Sequence, residues 1–267
     1  MTTPTPEQVR AVLERHVELW HAGDKDAWLE SWRTLVTGDV SLQDPVGSAP
    51  KVGFDLALAG EWDRTRDDWK LDVQDLVVCG NEGALIVHND GVVDGVATEL
   101  DTVEIYRFGD HGSLDARIYW ELPGLEPERD EPPVRSADEM RAFFLHAHEL
   151  WNAHDRDAWI AHWRTVVPGD DYTMEDPVGS PMKRGFDACR VGAWEFWNSA
   201  VQLSARNIIV CGNDVAMVVD NTVATDGAAS TTTSIETYAF GAPGSMLERN
   251  YWEVAEGTED LVAQYHR

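Results

Sequence analysis

Positive charge is scarce in this chain. Its 267 residues include 21 Lys and Arg against 48 Asp and Glu, which gives a net charge of −27 at neutral pH. Charge of this sign repels phosphate backbones and anionic lipid surfaces. We therefore expect no nucleic-acid partner.

Long apolar runs and cysteines are also few. No stretch reaches the roughly 20 apolar residues of a membrane span, and the first residues lack a basic region followed by an apolar run. These absences predict a cytoplasmic protein without a membrane partner. The three cysteines have no metal-ligand spacing, and their odd number disfavours a disulfide framework. Cys79 and Cys211 each end an apolar run, which predicts buried structural thiols.

The sequence does contain a long internal repeat. The segment Glu18–Trp20 recurs as Glu149–Trp151, 131 residues later, and Asp44–Ser48 (Asp-Pro-Val-Gly-Ser) recurs as Asp176–Ser180, 132 residues later. A period of this length corresponds to a whole domain, well beyond the repeats of solenoids and propellers. The repeat indicates a tandem duplication.

A polar, proline-rich segment separates the two copies. Residues 123–135 contain four prolines and cannot continue a helix or a central strand. We therefore predict a first domain at residues 1–122, a linker at 123–135 and a second domain at 136–267.

Each copy begins with helices. Apolar stripes at spacings of four, three and four residues predict a first helix that faces a core. These stripes are Val9, Leu13, His16 and Trp20 in the first copy, and Met140, Phe144, Ala147 and Trp151 in the second. Asp24 and Asp155 are predicted N-caps of a second helix. A third short helix is expected after Gly53 and Gly185.

Each copy then continues with β-rich runs. In the first copy they span Leu71–Cys79, Ala84–Val93, Thr98–Phe108 and Leu114–Glu121, separated by Gly-Asn, Asp-Gly and His-Gly turn signals. Helices followed by an antiparallel meander predict the α+β class, with about three N-terminal helices packed in a curved antiparallel sheet in each cone-shaped domain. Since each sheet has one face that needs cover, we expect the copies to pack as an intramolecular pseudo-dimer. A further homodimer of the full chain is left open.

The segment Asp44–Gly53 resembles the bacterial ketosteroid isomerases, in which an Asp-Pro-Val/Phe-Gly segment followed by a nearby Gly carries the catalytic base. The resemblance continues through His16–Leu19, Glu104–Phe108 and Tyr119–Trp120, so it covers nearly all of each copy. The wider group is the nuclear-transport-factor-2-like superfamily, which includes isomerases, polyketide cyclases, dehydratases, epoxide hydrolases and non-catalytic binders.

The resemblance implies roles for individual residues. It makes Asp44 and Asp176 the general bases of the two copies. The family's oxyanion hole combines a tyrosine on the first helix with a protonated aspartate on a strand. The residues at these two positions are His16 and Glu104 in the first copy, and Ala147 and Glu236 in the second. Because burial and a nearby ionised Asp both raise the pKa of a carboxyl, a buried Glu can still donate a hydrogen bond here.

Strand alternation tests these placements independently. If Glu104 faces the interior, so do Thr102, Tyr106 and Phe108, because residues two apart share a face of a strand. By the family pattern Asn89 and Asn221 also point inward and would orient a substrate oxygen. The predicted aromatic walls of the two sites are Trp32, Trp120, Trp163 and Trp252.

Each of these residues also has a structural interpretation. Asp44 can be a turn residue that binds the turn backbone, because Asp-Pro followed by Gly is a common turn signal. Glu104 can be a carboxylate at the rim, held by Arg107 or solvent. Asn89 can be part of a β-bulge or a backbone cap, and His16 a satisfied core histidine.

The sequence favours a cofactor-independent enzyme. No cluster of His, Cys or carboxylates has metal-ligand spacing, and no Gly-rich phosphate loop follows a strand, so we predict no metal and no cofactor. The leading hypothesis is an isomerase, dehydratase or lyase acting on a small apolar carbonyl compound such as a steroid, terpenoid or polyketide. Asp44 would abstract the proton while Glu104 and His16 stabilise the oxyanion.

Two other functions stay open. One is a non-catalytic small-molecule-binding protein of the same fold. The other is a limonene-type epoxide hydrolase, which the sequence favours less because that reaction needs an arginine between two acids, and Glu104 has Thr102 and Tyr106 as inward neighbours. If the chain is an enzyme, we expect the first copy to be the better catalyst, because Ala147 lacks the donor that His16 supplies.

Overall fold

The chain folds into two compact units, Met1–Asp130 and Glu131–Arg267, each with its own hydrophobic core. The computed structural model describes residues 3–65, 69–93, 95–122, 133–225, 228–241 and 244–266. Most of the predicted linker, residues 123–132, lies outside the described residues. None of the helices within the described ranges is long and apolar enough to cross a membrane.

The described part of the first unit contains three α-helices, two before the first strand and one after the second. They are α1 (Pro6–Ala22), α2 (Lys25–Arg33) and α3 (Gly60–Thr65), the last preceded by a π-helical turn at Asp55–Ala59. Asp24 caps α2 by accepting a 3.0 Å hydrogen bond from the backbone N–H of Ala27, as its position before the helix predicts. The stripe from Val9 to Trp20 on α1 is buried, so the helix face predicted from the spacing is the one that packs.

A six-stranded sheet wraps these helices. Its strands are β1 (Val40–Gln43), β2 (Lys51–Val52), β3 (Trp69–Cys79), β4 (Glu82–Val93), β5 (Val96–Phe108) and β6 (Leu114–Tyr119). The spatial order is β2-β1-β6-β5-β4-β3. The four β-rich runs of the sequence correspond to the four strands of the central meander. The α+β class is confirmed.

The sheet is mixed rather than antiparallel, which corrects the sequence prediction. Strand β1 runs parallel to β6, with Val40 opposite Leu114 and Gln43 opposite Arg117. β1 and β2 are four and two residues long, too short for a period-two pattern to be distinguished from a loop. This parallel pair matters because β1 delivers Asp44 beside the end of β6.

The second unit repeats this architecture. Its helices are α4 (Ala137–Asn152), α5 (Arg156–Trp163), α6 (Gly192–Trp197) and α7 (Glu259–Tyr265), with a π-helical turn at Asp187–Val191. Its strands are β7 (Tyr172–Glu175), β8 (Lys183–Arg184), β9 (Val201–Cys211), β10 (Asp214–Thr225), β11 (Ala228–Gly241) and β12 (Ser245–Tyr251). The strand order, β8-β7-β12-β11-β10-β9, is the one found in the first unit, so the duplication inferred from the repeat is confirmed. Helix α7 was not predicted.

Candidate active site

An apolar cavity opens inside the first unit, between the helices and the inner face of the sheet. Its volume is about 300 Å³, at the lower end of the range for small-molecule pockets. The wall is mainly aromatic and aliphatic, with four tryptophans and a tyrosine from the helices and β3–β5 among its lining groups: Trp20, Trp28, Trp32, Trp69 and Tyr106. The polar groups that line it include Asp44, Glu61, Glu104 and His16. A few polar side chains in an apolar wall are typical of a site that orients a small apolar ligand.

Asp44 lies at this cavity because β1 places it beside β6. The backbone N–H of Val46 donates a 2.8 Å hydrogen bond to the carbonyl of Ile118, which ties the loop after β1 to β6. The indole N–H of Trp120 donates to Asp44 Oδ1 at 2.6 Å. The second carboxylate oxygen, Oδ2, lies 3.5 Å from Lys51 Nζ, beyond a normal hydrogen bond. One oxygen of Asp44 is therefore held firmly and the other loosely.

Lys51 joins Asp44 to a second acid, Glu61. Its ammonium donates a 2.7 Å hydrogen bond to Glu61 Oε2, and Arg64 contacts the same oxygen. The Glu61 and Lys51 side chains are each only 17% exposed. Burial, together with the charge of Asp44 and despite the contact with Lys51, raises the pKa of Glu61 to about 7. Glu61 therefore changes charge near neutral pH.

Glu104 is buried on β5 and belongs to a hydrogen-bonded row across β4 and β5. Tyr106 OH donates to Glu104 Oε2 at 2.6 Å, and Thr102 Oγ1 donates to Oε1 at 3.2 Å. Asn89 in turn donates to Thr102 Oγ1 at 3.2 Å. Burial raises the pKa of Glu104 to about 7, although the hydrogen bond from Tyr106 acts in the opposite direction. A protonated fraction therefore exists at neutral pH, and its O–H is a donor.

His16 on α1 lines the same cavity as a neutral imidazole. Burial lowers its pKa to about 3. The indole N–H of Trp28, which can only donate, gives a 2.9 Å hydrogen bond to His16 Nδ1. The ring proton must then sit on Nε2. Trp28 thus fixes the tautomer and leaves one N–H donor on the histidine.

Asn89 lines the cavity, but its amide group is engaged within the protein. Besides Thr102, its Nδ2 donates to the carbonyl of Leu100 at 3.2 Å. Both amide hydrogens thus have partners inside the sheet. This geometry agrees with the backbone-cap interpretation more closely than with direct binding of substrate.

The matching base of the second unit, Asp176, is sealed. Trp252 donates to its Oδ1 at 2.7 Å, and Tyr265 of α7 donates to its Oδ2 at 2.8 Å. His266 also binds the Asp176 carbonyl at 2.8 Å. Asp44 differs: Trp120 donates to its Oδ1, and its carboxyl also interacts with the ionisable groups of Lys51 and Glu61, whereas both side-chain oxygens of Asp176 accept short hydrogen bonds from aromatic side chains.

The interior of the second unit also carries a buried ion pair. Arg190 contacts Glu248 Oε2, and the two side chains are 7% and 2% exposed. Arg190 occupies the repeat position of Leu58, and Glu248 that of Ala116, both of which line the cavity of the first unit. The pair is secured further because the guanidinium of Arg190 lies 3.7 Å from the centre of the Trp163 ring. Long charged side chains therefore occupy space that the first unit leaves open.

The other predicted residues of the second unit surround this ion pair. Tyr238 donates to Glu236, whose pKa burial and the charge of Glu248 raise to about 7. Asn221 donates to Ser234 Oγ at 2.8 Å, repeating the Asn89–Thr102 contact. The polar row is therefore present in both units, but only in the second does it share the interior with a buried arginine.

Sequence reasoning missed four polar residues: Lys51, Glu61, Arg190 and Glu248. A position-by-position comparison of the copies contains the signal. Leu58 and Ala116 become a cation and an anion in the second copy, a paired change that predicts contact. In the described part of the chain no group of three or more His, Cys, Asp or Glu is arranged to hold a metal.

The fold and the cavity define an α+β cone with a small apolar pocket and acidic groups in its wall. Residues 13–116, most of the first unit, match the family model of the SnoaL-like domain. The first unit is thus similar to SnoaL-like domains over this range, and the second unit repeats its fold. This fold includes polyketide cyclases and isomerases as well as designed binders.

Several solved structures are similar to parts of this chain. The epoxide hydrolase/cyclase-like enzyme SalBIII, with a role in pyran ring formation in the polyether salinomycin, is 17% identical with a TM-score of 0.37, covering 44% of this chain and 92% of its own. RV0760c from Mycobacterium tuberculosis is 21% identical with a TM-score of 0.36, and the match covers 46% of this chain and 96% of RV0760c. A computationally designed 17-OHP binder is 21% identical with a TM-score of 0.36, and the match covers 45% of this chain and 94% of the binder.

Proposed function

We propose that the first unit is a proton-transfer enzyme, an isomerase, dehydratase or lyase, that acts without a cofactor on a small apolar carbonyl compound. The observation that carries this proposal is the asymmetry of Asp44: Trp120 holds one oxygen at 2.6 Å, and the other lies at the cavity with Lys51 3.5 Å away. A carboxylate fixed through one oxygen and available through the other is suited to act as a general base.

In this proposal Asp44 removes a proton from the carbon next to the substrate carbonyl. Negative charge then develops on the carbonyl oxygen, and the Nε2–H of His16 and the O–H of protonated Glu104 donate hydrogen bonds to it. Asp44 returns the proton to another carbon in an isomerisation, or loss of a leaving group completes an elimination. The aromatic wall excludes water, which strengthens these hydrogen bonds.

The second unit supports the fold rather than the chemistry in this proposal. Asp176 has both oxygens occupied, Ala147 has no donor where the first unit has His16, and Arg190 with Glu248 fills the interior. Any one of these differences weakens proton abstraction, and together they make the second unit a poor catalyst.

A second candidate function, ligand binding without turnover, is favoured by one observation. Both oxygens of Glu104 already accept hydrogen bonds within the protein, from Tyr106 and Thr102. A hydrogen-bond network that is complete within the protein can form the polar end of a binding pocket without taking part in catalysis.

Hydrogen–deuterium exchange separates the two functions. The protein is incubated in D₂O with cyclic ketones of increasing size, including β,γ-unsaturated ketones up to 3-oxo steroids, and deuterium incorporation and conjugated enone formation are followed. An enzyme of the proposed kind accelerates exchange next to the carbonyl for at least one size class. A ketone that binds to saturation without faster exchange would instead support the binding function.

A further inference from the structure

Glu61 in the cavity wall pairs with Lys51 behind it, and the proposed reaction does not itself require this charged pair. Lys51 on β2 bridges Glu61 at the start of α3 and Asp44 in the loop after β1, at 2.7 and 3.5 Å. Glu61 also shares a hydrogen bond with Asp44. Two ionisable groups from other elements, Lys51 and Glu61, thus both interact with the Asp44 carboxyl whose Oδ1 Trp120 holds.

We propose that Glu61 is a positioning residue that switches the base on and off. When Glu61 is ionised, it holds Lys51 and leaves Asp44 Oδ2 free to accept a proton. When Glu61 is protonated, it donates a hydrogen bond to Asp44, which is then no longer available as a base. This inference rests on the proposed role of Asp44. No covalent step is added, because Glu61 changes the basicity of Asp44 without contacting the reacting carbon.

The charges around Glu61 set the direction of the switch. The ionisable groups that act on it or interact with it are Asp44, Lys51, Arg64 and Tyr106, and Glu104 interacts in turn with Asp44. When Glu61 is ionised, the two cations Lys51 and Arg64 balance the two anions Glu61 and Asp44. With Glu61 protonated, the cluster gains a net positive charge and Asp44 gains a donor, and both changes make Asp44 a weaker base. The ionisation of Glu61 should therefore give the pH profile of activity a rising limb, while the loss of the Glu104 proton gives it a falling one.

The second unit provides an internal comparison. It retains the lysine as Lys183 but has Ala193 at the repeat position of Glu61. Without the glutamate, the Lys183 ammonium lies 2.8 Å from the centre of the Tyr265 ring instead of bridging two acids. The pairing of lysine with a second carboxyl therefore occurs in the unit with the open base and not in the unit whose base is sealed.

Carboxyl NMR of the full-length protein tests the switch without any substrate. The protein is labelled with ¹³C at the Asp and Glu carboxyl carbons, and the Asp44 signal is assigned by its loss in Asp44→Asn. In the parent, the Asp44 signal should shift with a midpoint near pH 7, because Asp44 senses the titration of Glu61. In Glu61→Gln, whose amide donates to Asp44 at every pH, this step should disappear.

Three further variants complete the design. Glu14→Gln removes the same charge from an exposed position of α1 and should retain the step. Glu104→Gln should also retain it, which distinguishes Glu61 from the other buried acid near Asp44, and Glu61→Asp should restore it. A pH step at Asp44 that survives in Glu61→Gln, or one that vanishes in Glu104→Gln instead, would overturn the inference.

The exchange assay gives the matching kinetic readout. With a ketone that the parent turns over, kcat should rise with pH below about 7 as Glu61 ionises and fall above it as Glu104 loses its donor proton. In Glu61→Gln the rise should be absent, the fall should remain, and the rate at pH 7 should be about tenfold lower. A Glu61→Gln rate with the parental pH profile contradicts the switch. If no ketone is turned over, the proposed reaction fails while the NMR result still decides whether Glu61 controls Asp44.

Discussion

At the scale of single residues, burial rather than residue type sets the chemistry of this site. Glu104 and His16 lie at the same cavity, yet burial raises the pKa of the acid to about 7 and lowers that of the base to about 3. Each change favours the neutral form. Burial thus favours the neutral, donating form of both side chains, as an oxyanion site requires.

The raised pKa of Glu104 predicts a pH-dependent stability. Below pH 4.5 the carboxyl is protonated in both states, so its contribution to folding is complete. As the pH rises towards 7 the unfolded chain ionises first, and this contribution is lost. Relative to Glu104→Gln, which stays neutral, the parent should lose roughly 3 kcal/mol of unfolding free energy between pH 4.5 and 7.

Urea unfolding at several pH values, followed by tryptophan fluorescence, measures this difference. Comparing the parent with Glu104→Gln cancels the opposite contribution of His16, whose lowered pKa makes stability rise with pH. Glu14→Gln is the matched exposed control and should show no pH-dependent difference. A constant difference between the parent and Glu104→Gln from pH 4.5 to 7 would mean that Glu104 titrates normally.

The sequence predicted the members of the polar row and missed the charges that surround it. The family resemblance gave Glu104 and Asn89, and alternation along the strand placed Tyr106 on the same face as Glu104. Lys51 and Glu61 lie on a two-residue strand and at the start of a one-turn helix, where no periodicity indicates the direction of a side chain. Family resemblance did not help, because it concerns only the base and the oxyanion donors.

At the scale of elements, capping and periodicity predicted most of the fold. Both second helices begin at the predicted Asp caps, with Asp155 accepting a hydrogen bond from Ala158 N at 3.1 Å. The short strands and α7 were missed because each carries too few residues for a pattern to emerge. The consequence is functional, since β1 carries Asp44 to the site and α7 carries Tyr265 to Asp176.

Helix α7 should depend strongly on the hydrogen bond from the Tyr265 hydroxyl to Asp176. Tyr265→Phe keeps the ring that packs against Phe196 and Trp197 but removes the 2.8 Å bond to a charged oxygen. A hydrogen bond to a charged group contributes about 1.5–3 kcal/mol. Amides of α7 should therefore exchange with solvent roughly 10- to 150-fold faster in the variant.

Hydrogen-exchange mass spectrometry of the C-terminal peptide measures this effect. Leu261→Ala, an exposed change in the same helix, serves as the control and should leave exchange in the last turn nearly unchanged. Equal protection of α7 in the parent and in Tyr265→Phe would show that ring packing alone holds the helix.

At the scale of the whole molecule, duplication has produced two units with one backbone plan and different interiors. The strand order is the same in both, and the tryptophans of the helices recur. The repeat made this plan predictable from the sequence. The difference in the interiors was predicted only in part, because Ala147 was noticed and the Arg190–Glu248 pair was not.

The arrangement of the two units as a pseudo-dimer stays a prediction from the sequence. Proteolytic cleavage within residues 123–135 of the full chain tests it. Since a curved sheet needs cover on its outer face, the two fragments should remain associated in size-exclusion chromatography and melt in one transition. Fragments that separate at micromolar concentration would show that the units are independent.

The central claim is that the first unit carries out proton transfer with Asp44 as its base. The most direct test compares Asp44→Asn with Asp176→Asn in the deuterium-exchange assay, using a ketone that the parent accepts and verifying the fold of each variant by circular dichroism. Asp44→Asn should reduce the rate by about 10²-fold or more, and Asp176→Asn should leave it within a factor of about two. Parental turnover by Asp44→Asn, or a larger loss in Asp176→Asn, would contradict the claim.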